Sequence, residues 1–290
     1  MQQLEPKLKS GTVAMVGIGF DAYSSYLRGA ARGPAEIRKA LLCAATNRCS
    51  ESGVDLGTNR LFRDLGDLDL EPDPDESDAK RVDVAYLGIA DRVQPLIERD
   101  ARVLALGGDH SITYPLIKAY AKRYPALNIL HLDAHPDLYE IFEGNRHSHA
   151  CPFARIMEQQ LASRLVQVGI RAATPHQVEQ QQRYGVEVFE MRKWRTALQS
   201  GGRVEFDGPV YLSVDLDVLD PGFAPGISHY EPGGLSPRDV IDLIQSIRAP
   251  IVGADVVELN PTRDVSGITA TIAAKLVKEI AAQMLARWSF

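Results

Sequence analysis

No stretch of this sequence approaches the roughly 20 apolar residues that a membrane-spanning helix needs. Its opening, MQQLEPKLKSG, also lacks the apolar core of a secretory signal. A soluble, intracellular chain is expected. Cysteine is scarce: Cys43, Cys49 and Cys151 are odd in number and fall at neither metal-finger nor redox-motif spacing, so no disulfide framework is indicated. A reducing, cytoplasmic setting is the expectation. Also missing is any excess of positive charge, since 32 basic against 38 acidic side chains leave a net charge of -6. A nucleic-acid surface needs clustered positive charge, so neither nucleic acid nor membrane is expected as a partner. Internal repeats and linkers are absent too, and one domain over residues 1–290 is expected.

What is present is a 45% hydrophobic chain able to bury one sizeable core. Short apolar, β-branched runs bounded by turn residues predict strands at 12–18, 102–106, 127–132, 165–170, 186–190, 209–215 and 251–257. Several are apolar on both faces, as strands covered by helices on both sides are. Helical periodicity lies between the runs, and the alternation predicts a mainly parallel α/β sheet. Ile268, Ile272, Leu276, Ile280 and Met284 recur every fourth residue from Gly267 towards Trp288, the clearest helix. A second begins at Ser236-Pro237, a cap and a first-turn proline, and a third spans 79–99. The acidic, proline-containing stretch 66–78 reads as a solvated loop.

Ligand-type residues concentrate at three strand ends. LALGGDHS (104–111) runs from a buried strand through two glycines to His110, where open α/β sheets place their ligands. The alternative there is that Asp109 or Ser111 merely caps the next helix. In ILHLDAHPD (129–137), Asp133, His135 and Asp137 alternate, and an extended chain would point them to one face. VYLSVDLDVLDP (210–221) ends in Asp215 and Asp217, again at alternate positions. Carboxylates gathered this way repel unless a cation compensates them. Carboxylate with imidazole suits manganese, iron, cobalt, nickel or zinc. Four carboxylates and two imidazoles suit two ions better than one, a pair that can activate a water between them.

At these residues the sequence resembles the ureohydrolase family, which includes arginases, agmatinases and guanidinobutyrases. The resemblance rests on SSYLRGAARGP (24–34), GGDHS (107–111), DAHPD (133–137), SVDLDVLDP (213–221) and DVVELNP (255–261), in order along nearly the whole chain. It implies a three-layer α/β/α sandwich with a mainly parallel sheet of about eight strands, two Mn2+ per subunit with Ni2+ or Co2+ as substitutes, and a homotrimer or homohexamer. One ion would be held by His110, Asp133, Asp137 and Asp215, the other by Asp133, His135, Asp215 and Asp217. The implied reaction hydrolyses a small guanidino substrate to urea and a primary amine. Asp137 would orient the attacking water, and Glu258 would pair with the guanidinium. His149 would pass a proton to the leaving amine, with His147 as the rival assignment. Ala150 stands where the family often has glycine.

The loops that would meet the substrate tail most resemble plant arginases and bacterial relatives called agmatinases. Asn145, Arg146, His147 and Ser148 are the expected tail contacts. Arg146 or His147 would suit the carboxylate of L-arginine or guanidinobutyrate, and Glu143 or Glu231 the amine of agmatine; Arg146 also reads as an exposed loop residue. L-Arginine is favoured. A two-metal phosphoester or amide hydrolase and an inactive metal-bound homologue are the rival classes.

Overall fold

The computed structural model describes residues 8–70, 78–194 and 204–286. Eight strands form one sheet: β1 (Val13–Ile18), β2 (Phe62–Asp67), β3 (Arg102–Gly107), β4 (Asn128–Leu132), β5 (Arg164–Ile170), β6 (Glu187–Glu190), β7 (Val210–Asp215) and β8 (Ile251–Val257). The seven expected strands lie within a residue of their expected limits at each end. Their order across the sheet is β2-β1-β3-β8-β7-β4-β5-β6, and every neighbouring pair is parallel. The last strand in the chain is therefore central in the sheet. It sits between β3 and β7 and, among the described residues, is the only strand joining β2-β1-β3 to β7-β4-β5-β6.

Helices α1 (Gly33–Leu41), α6 (Pro237–Ser246) and α7 (Ile268–Leu285) cover one face, where Ile37, Val240, Ile244 and Leu276 pack with Leu104, Leu130, Leu212 and Val214. On the other face α2 (Asp78–Glu98), α3 (Thr113–Ala121) and α4 (Pro152–Glu158) bring Ile89, Ile117 and Phe153 against Val103, Ile129 and Tyr211. This is the three-layer sandwich. Burial on both faces is why β4, β7 and β8 are apolar without alternation. A fifth connection carries α5 (Pro175–Tyr184) between β5 and β6. Two helices begin with reciprocal caps, Thr174 with Gln177 for α5 and Ser236 with Asp239 for α6, which satisfy N–H groups left without partners at a helix start.

One strand was not expected. β2, with sequence FRDLGD, is a half-exposed edge strand whose charged residues hide it from a hydrophobicity reading. It takes residues 66 and 67 from the expected acidic loop, and α2 takes Asp78; residues 71–77 of that loop, and Trp288, lie outside the described residues.

Candidate metal centre

The four central strands, β3, β8, β7 and β4, all deliver polar residues at their carboxyl ends. β3 ends at Gly107, and the chain then passes so close to β1 that a Cβ on Gly108 would lie 1.7 Å from the Phe20 carbonyl oxygen. Only glycine fits there. The Asp109 carboxylate accepts from the Ser111 N–H at 3.1 Å and caps the following turn, so the capping alternative holds for Asp109. His110 instead points to the strand ends, buried completely.

The aspartates converge by a different route from strand alternation. β4 stops at Leu132, and Asp133 to Asp137 form a loop in which Asp137 has φ 49°, left-handed backbone. Asp215 is the last residue of β7. Asp217 belongs to a single 3-10 turn over Leu216–Val218, its N–H donating to Asp215 Oδ1 at 2.8 Å. Glu258 follows β8 directly and is also left-handed, with φ 67°. Such backbone in non-glycine residues is costly and persists where surrounding structure imposes it. Two links impose it at Glu258: its N–H donates to the Gly108 carbonyl at 2.9 Å, and Glu258 Oε1 accepts from the His110 N–H at 2.9 Å.

One atom reveals what the cluster fits. His110 Nδ1 lies 3.1 Å from Asp133 Oδ2, 3.1 Å from Asp137 Oδ2 and 3.2 Å from Asp215 Oδ2, yet is buried without a properly directed hydrogen bond to any of them. The other ring nitrogen is committed. Ser213 Oγ donates to Asp255 Oδ1 at 2.7 Å and so accepts from His110 Nε2–H at 2.9 Å, which leaves Nδ1 as the ring atom that faces three carboxylate oxygens and can give its lone pair to a cation in place of a proton. A divalent cation suits one nitrogen and three carboxylate oxygens in that arrangement. Beside it, ligand atoms of Asp133, His135 and Asp217 all lie within 4.8 Å of one another, with His135 Nδ1 2.8 Å from Asp217 Oδ2 and 3.5 Å from Asp133 Oδ1. The donor sets thus fit two ions with Asp133 shared.

The electrostatics record the strain of the carboxylates alone. Burial, then the charges of Asp217 and Asp133, push Asp215 well above the carboxylate range. Burial and Asp133 raise Asp217 to about 6. Asp133 goes the other way: burial opposes its ionisation, but His131, His110 and His135 together hold it well below its ordinary value. For His110, burial favours the neutral ring, and its three carboxylate neighbours override that and raise it.

Above the cluster is a cavity of about 180 Å³, lined by Ser25, His135, Asp137, Tyr139, Phe142, His149, Ala150, Ala172, Gln177, Asp215, Asp217, His229 and Glu258. It admits a small molecule. His149 Nδ1 is 3.0 Å from Glu258 Oε1, and its Nε2 is 2.8 Å from Ser25 Oγ. Burial would lower its pKa, but the Glu258 carboxylate prevails and raises it to about 9. Asn145, Arg146, His147 and Ser148 are not brought to this lining. Arg146 makes a forked pair with Glu158 at 2.9 and 3.0 Å, and Asn145 Oδ1 accepts from the His147 N–H at 2.8 Å. The His147 ring sits among Tyr23, Tyr86 and Tyr114, and Ser148 is buried beside Ala150.

The model of the arginase family matches residues 11–282. The chain belongs to the arginase family. Among this arginase-family chain's relatives, Arginase 1, mitochondrial, of Arabidopsis thaliana is 46% identical over 281 residues, 94% of this chain and 81% of that protein. Guanidino acid hydrolase, mitochondrial, of Homo sapiens is 32% identical over 92% of this chain and 76% of its own length. The structure of arginase from Medicago truncatula superposes with a TM-score of 0.86 at 44% identity, over 94% of this chain and 87% of that one. The cytoplasmic expectation is corrected by these relatives, whose names place them in mitochondria. Sparse, unpaired cysteines argue against an oxidising compartment and do not choose among reducing ones.

Several residues of this arginase-family site escaped the sequence reading. His131 Nδ1 is 3.0 Å from Gln167 Nε2, which can only donate, so its Nε2 carries the hydrogen given to Asp133 Oδ2 at 2.8 Å. Both nitrogens being committed, His131 orients Asp133 and is not itself a ligand; in the sequence it reads as one more strand residue. Asp255 accepts from Ser213, Tyr211 and Thr113 and anchors the His110 relay. Arg171 donates to the carbonyls of Asp217, Leu219 and Glu231, fixing the loop that carries Asp217.

Proposed function

We propose that this arginase-family hydrolase is a binuclear ureohydrolase that cleaves a guanidino compound to urea and a primary amine, with L-arginine as substrate in preference to agmatine. The buried, undirected Nδ1 of His110 facing three carboxylates carries the reading. His110, Asp133, Asp137 and Asp215 would hold one ion, and Asp133, His135, Asp215 and Asp217 the other. Two divalent ions there supply a water activated for attack and stabilise the charge that develops. Mn2+ is proposed, with Ni2+ and Co2+ as alternatives, in a single domain that assembles as a homotrimer or homohexamer.

The chain's own groups do the rest. Glu258 Oε1 already accepts from His110 and His149. Its Oε2 has no partner among the described residues and is the oxygen left to take a guanidinium N–H, a strong charge-assisted contact. Asp137, in the same lining, accepts a hydrogen from the attacking water and orients it to the guanidino carbon. Water adds, the bond from carbon to the alkyl nitrogen breaks, and the proton held on His149 goes to the departing amine, which needs such an acid near neutral pH. A phosphoester substrate is disfavoured. The lining holds four carboxylates and, among the described residues, no lysine or arginine.

The test is urea release from a panel of guanidino compounds with Mn2+, Ni2+ and Co2+ in turn, with ornithine and putrescine quantified. Urea from no guanidino compound would overturn the class, and a strong preference for agmatine the substrate. Light scattering of the purified protein reads the assembly.

A further inference from the structure

Of the stretches that carry the family resemblance, SSYLRGAARGP alone contributes no group to the reaction described above, yet its Ser25 reaches the cavity. Ser25 lies on the connection between β1 and α1, beside an exposed tip where Tyr26 is 55% and Leu27 41% accessible. Exposed loops of this kind are ordinarily mobile. This one is tied down on both sides of Ser25. The Tyr23 N–H and Ser24 Oγ donate to Asp109 Oδ2 at 3.1 and 3.3 Å, and the Leu27 carbonyl accepts from Ser228 Oγ at 2.9 Å and Asn260 Nδ2 at 2.7 Å. The Tyr23 carbonyl also accepts from the His149 N–H at 3.2 Å, so the loop is fixed directly to that histidine.

The hydrogens of the His149 ring give Ser25 a role. Nδ1 is 3.0 Å from Glu258 Oε1, a carboxylate oxygen that can only accept, so Nδ1 carries a hydrogen in either state of the ring. The proton that makes the ring an acid is therefore the one on Nε2, 2.8 Å from Ser25 Oγ. Ser25 Oγ accepts it there, and both N–H groups of the imidazolium are then engaged. The serine hydroxyl has no other partner among the described residues, so the hydrogen left free to enter the cavity is the serine's own.

We propose that Ser25 is a catalytic residue that relays the His149 proton to the departing amine. The inference rests on the ureohydrolase reading above and adds the path of its proton. When the carbon–nitrogen bond breaks, its electron pair stays with the alkyl nitrogen, which takes the Ser25 hydrogen, while Ser25 Oγ takes the hydrogen from His149 Nε2. The serine ends unchanged and His149 ends neutral, its Nδ1–H still on Glu258. The carbon fragment gives its hydroxyl hydrogen to Asp137 and becomes urea. A proton from solvent returns to Nε2 through the same hydroxyl.

The discriminating comparison is Ser25→Ala on two kinds of leaving group, with Mn2+-loaded protein. L-Arginine and agmatine release an alkylamine; their guanidinooxy analogues, with oxygen in place of the methylene next to the leaving nitrogen, release an alkoxyamine. The oxygen withdraws electron density and makes that amine far less basic, so its departure needs less help from an acid. For the alkylamine substrates kcat should fall roughly tenfold to hundredfold with KM little changed, and for the analogues by less than about threefold. Ser25→Thr keeps the hydroxyl and should keep most of the activity. In a His149→Ala background, Ser25→Ala should cost nothing further, because two groups in one relay fail together. An unchanged kcat, the same loss for both leaving groups, or losses that multiply in the double variant would overturn the relay and leave the ureohydrolase reading standing. Wild-type protein that released urea from none of the four compounds would remove that reading itself, and the relay with it.

Discussion

Replacing Asp217 by asparagine should make the metal-free protein more stable while crippling its metal binding. In the folded chain Asp217 ionises only at about pH 6, because burial and the Asp133 charge outweigh its pairing with His135. An unfolded aspartate ionises near 3.9, so the shift of about two units corresponds to roughly 3 kcal/mol. The folded pKa is raised, so the folded state holds the proton more tightly. The stability this gives is full below about pH 4 and is lost as pH rises towards 6. Asparagine keeps the bond from the Ala134 N–H and carries no charge, so it avoids that loss. With 290 residues the unfolding entropy is about 0.6 kcal/mol/K, and the variant in chelator at pH 7.5 should melt about 5 °C higher than wild type. No difference is expected below pH 4. With metal at a hundredfold excess over Kd the wild type gains about 2.7 kcal/mol per site, a gain the variant loses at the site built on Asp217. Thermal melts with chelator and with Mn2+ across this pH range are the assay. A variant less stable than wild type in chelator, or one with an undiminished metal shift, would refute the account of the charge cluster.

Substituting His131 by phenylalanine keeps its stacking on Phe153 but removes the hydrogen given to Asp133; metal affinity should fall about tenfold to hundredfold in a chelator competition, and unchanged affinity would show that Asp133 needs no such support. Glu258→Gln removes the charge that raises His149 to about 9. Its imidazolium is then lost at lower pH, and titration of the His149 ring followed by NMR should show the midpoint falling towards the ordinary histidine value; a midpoint still near 9 would exclude Glu258 as the cause. Gly108→Ala places a methyl group 1.7 Å from a backbone oxygen and should cost more than about 3 kcal/mol in denaturant unfolding; a neutral effect would mean that the β1 and β3 loops can separate.

The strands that build the centre were legible because they are buried on both faces, which leaves long apolar runs ending abruptly in Asp and His. The way those residues meet was not legible. Alternation along an extended chain is the wrong geometry for Asp137, which is left-handed, and for Asp217, which sits in a turn; the right geometry depends on contacts such as that between Glu258 and His110, 148 residues apart. The supporting groups were hidden for a related reason. Whether His131 donates to Asp133, and that Asp255 anchors His110 through Ser213, follow from partners that only the folded chain brings near. β2 was missed because an edge strand has little apolar surface to display, and the expected tail contacts missed the cavity because Arg146 has a closer partner in Glu158.

The placement of β8 also bears on how the protein is made. A ribosome releases β3 and β4 well before β7 and β8, and the strand that joins the two half-sheets comes last. Until it inserts, His110 on one half and Asp133 on the other have no fixed distance between them. Neither Glu258 nor the Asp255 anchor for His110 has yet been supplied. A nascent chain, or one truncated before residue 251, therefore has most of the ligands and no centre. Such long-range pairing also folds slowly. Metal capture should report completion of the sheet, which makes a metal-sensitive signal during refolding a clock for the insertion of its last strand.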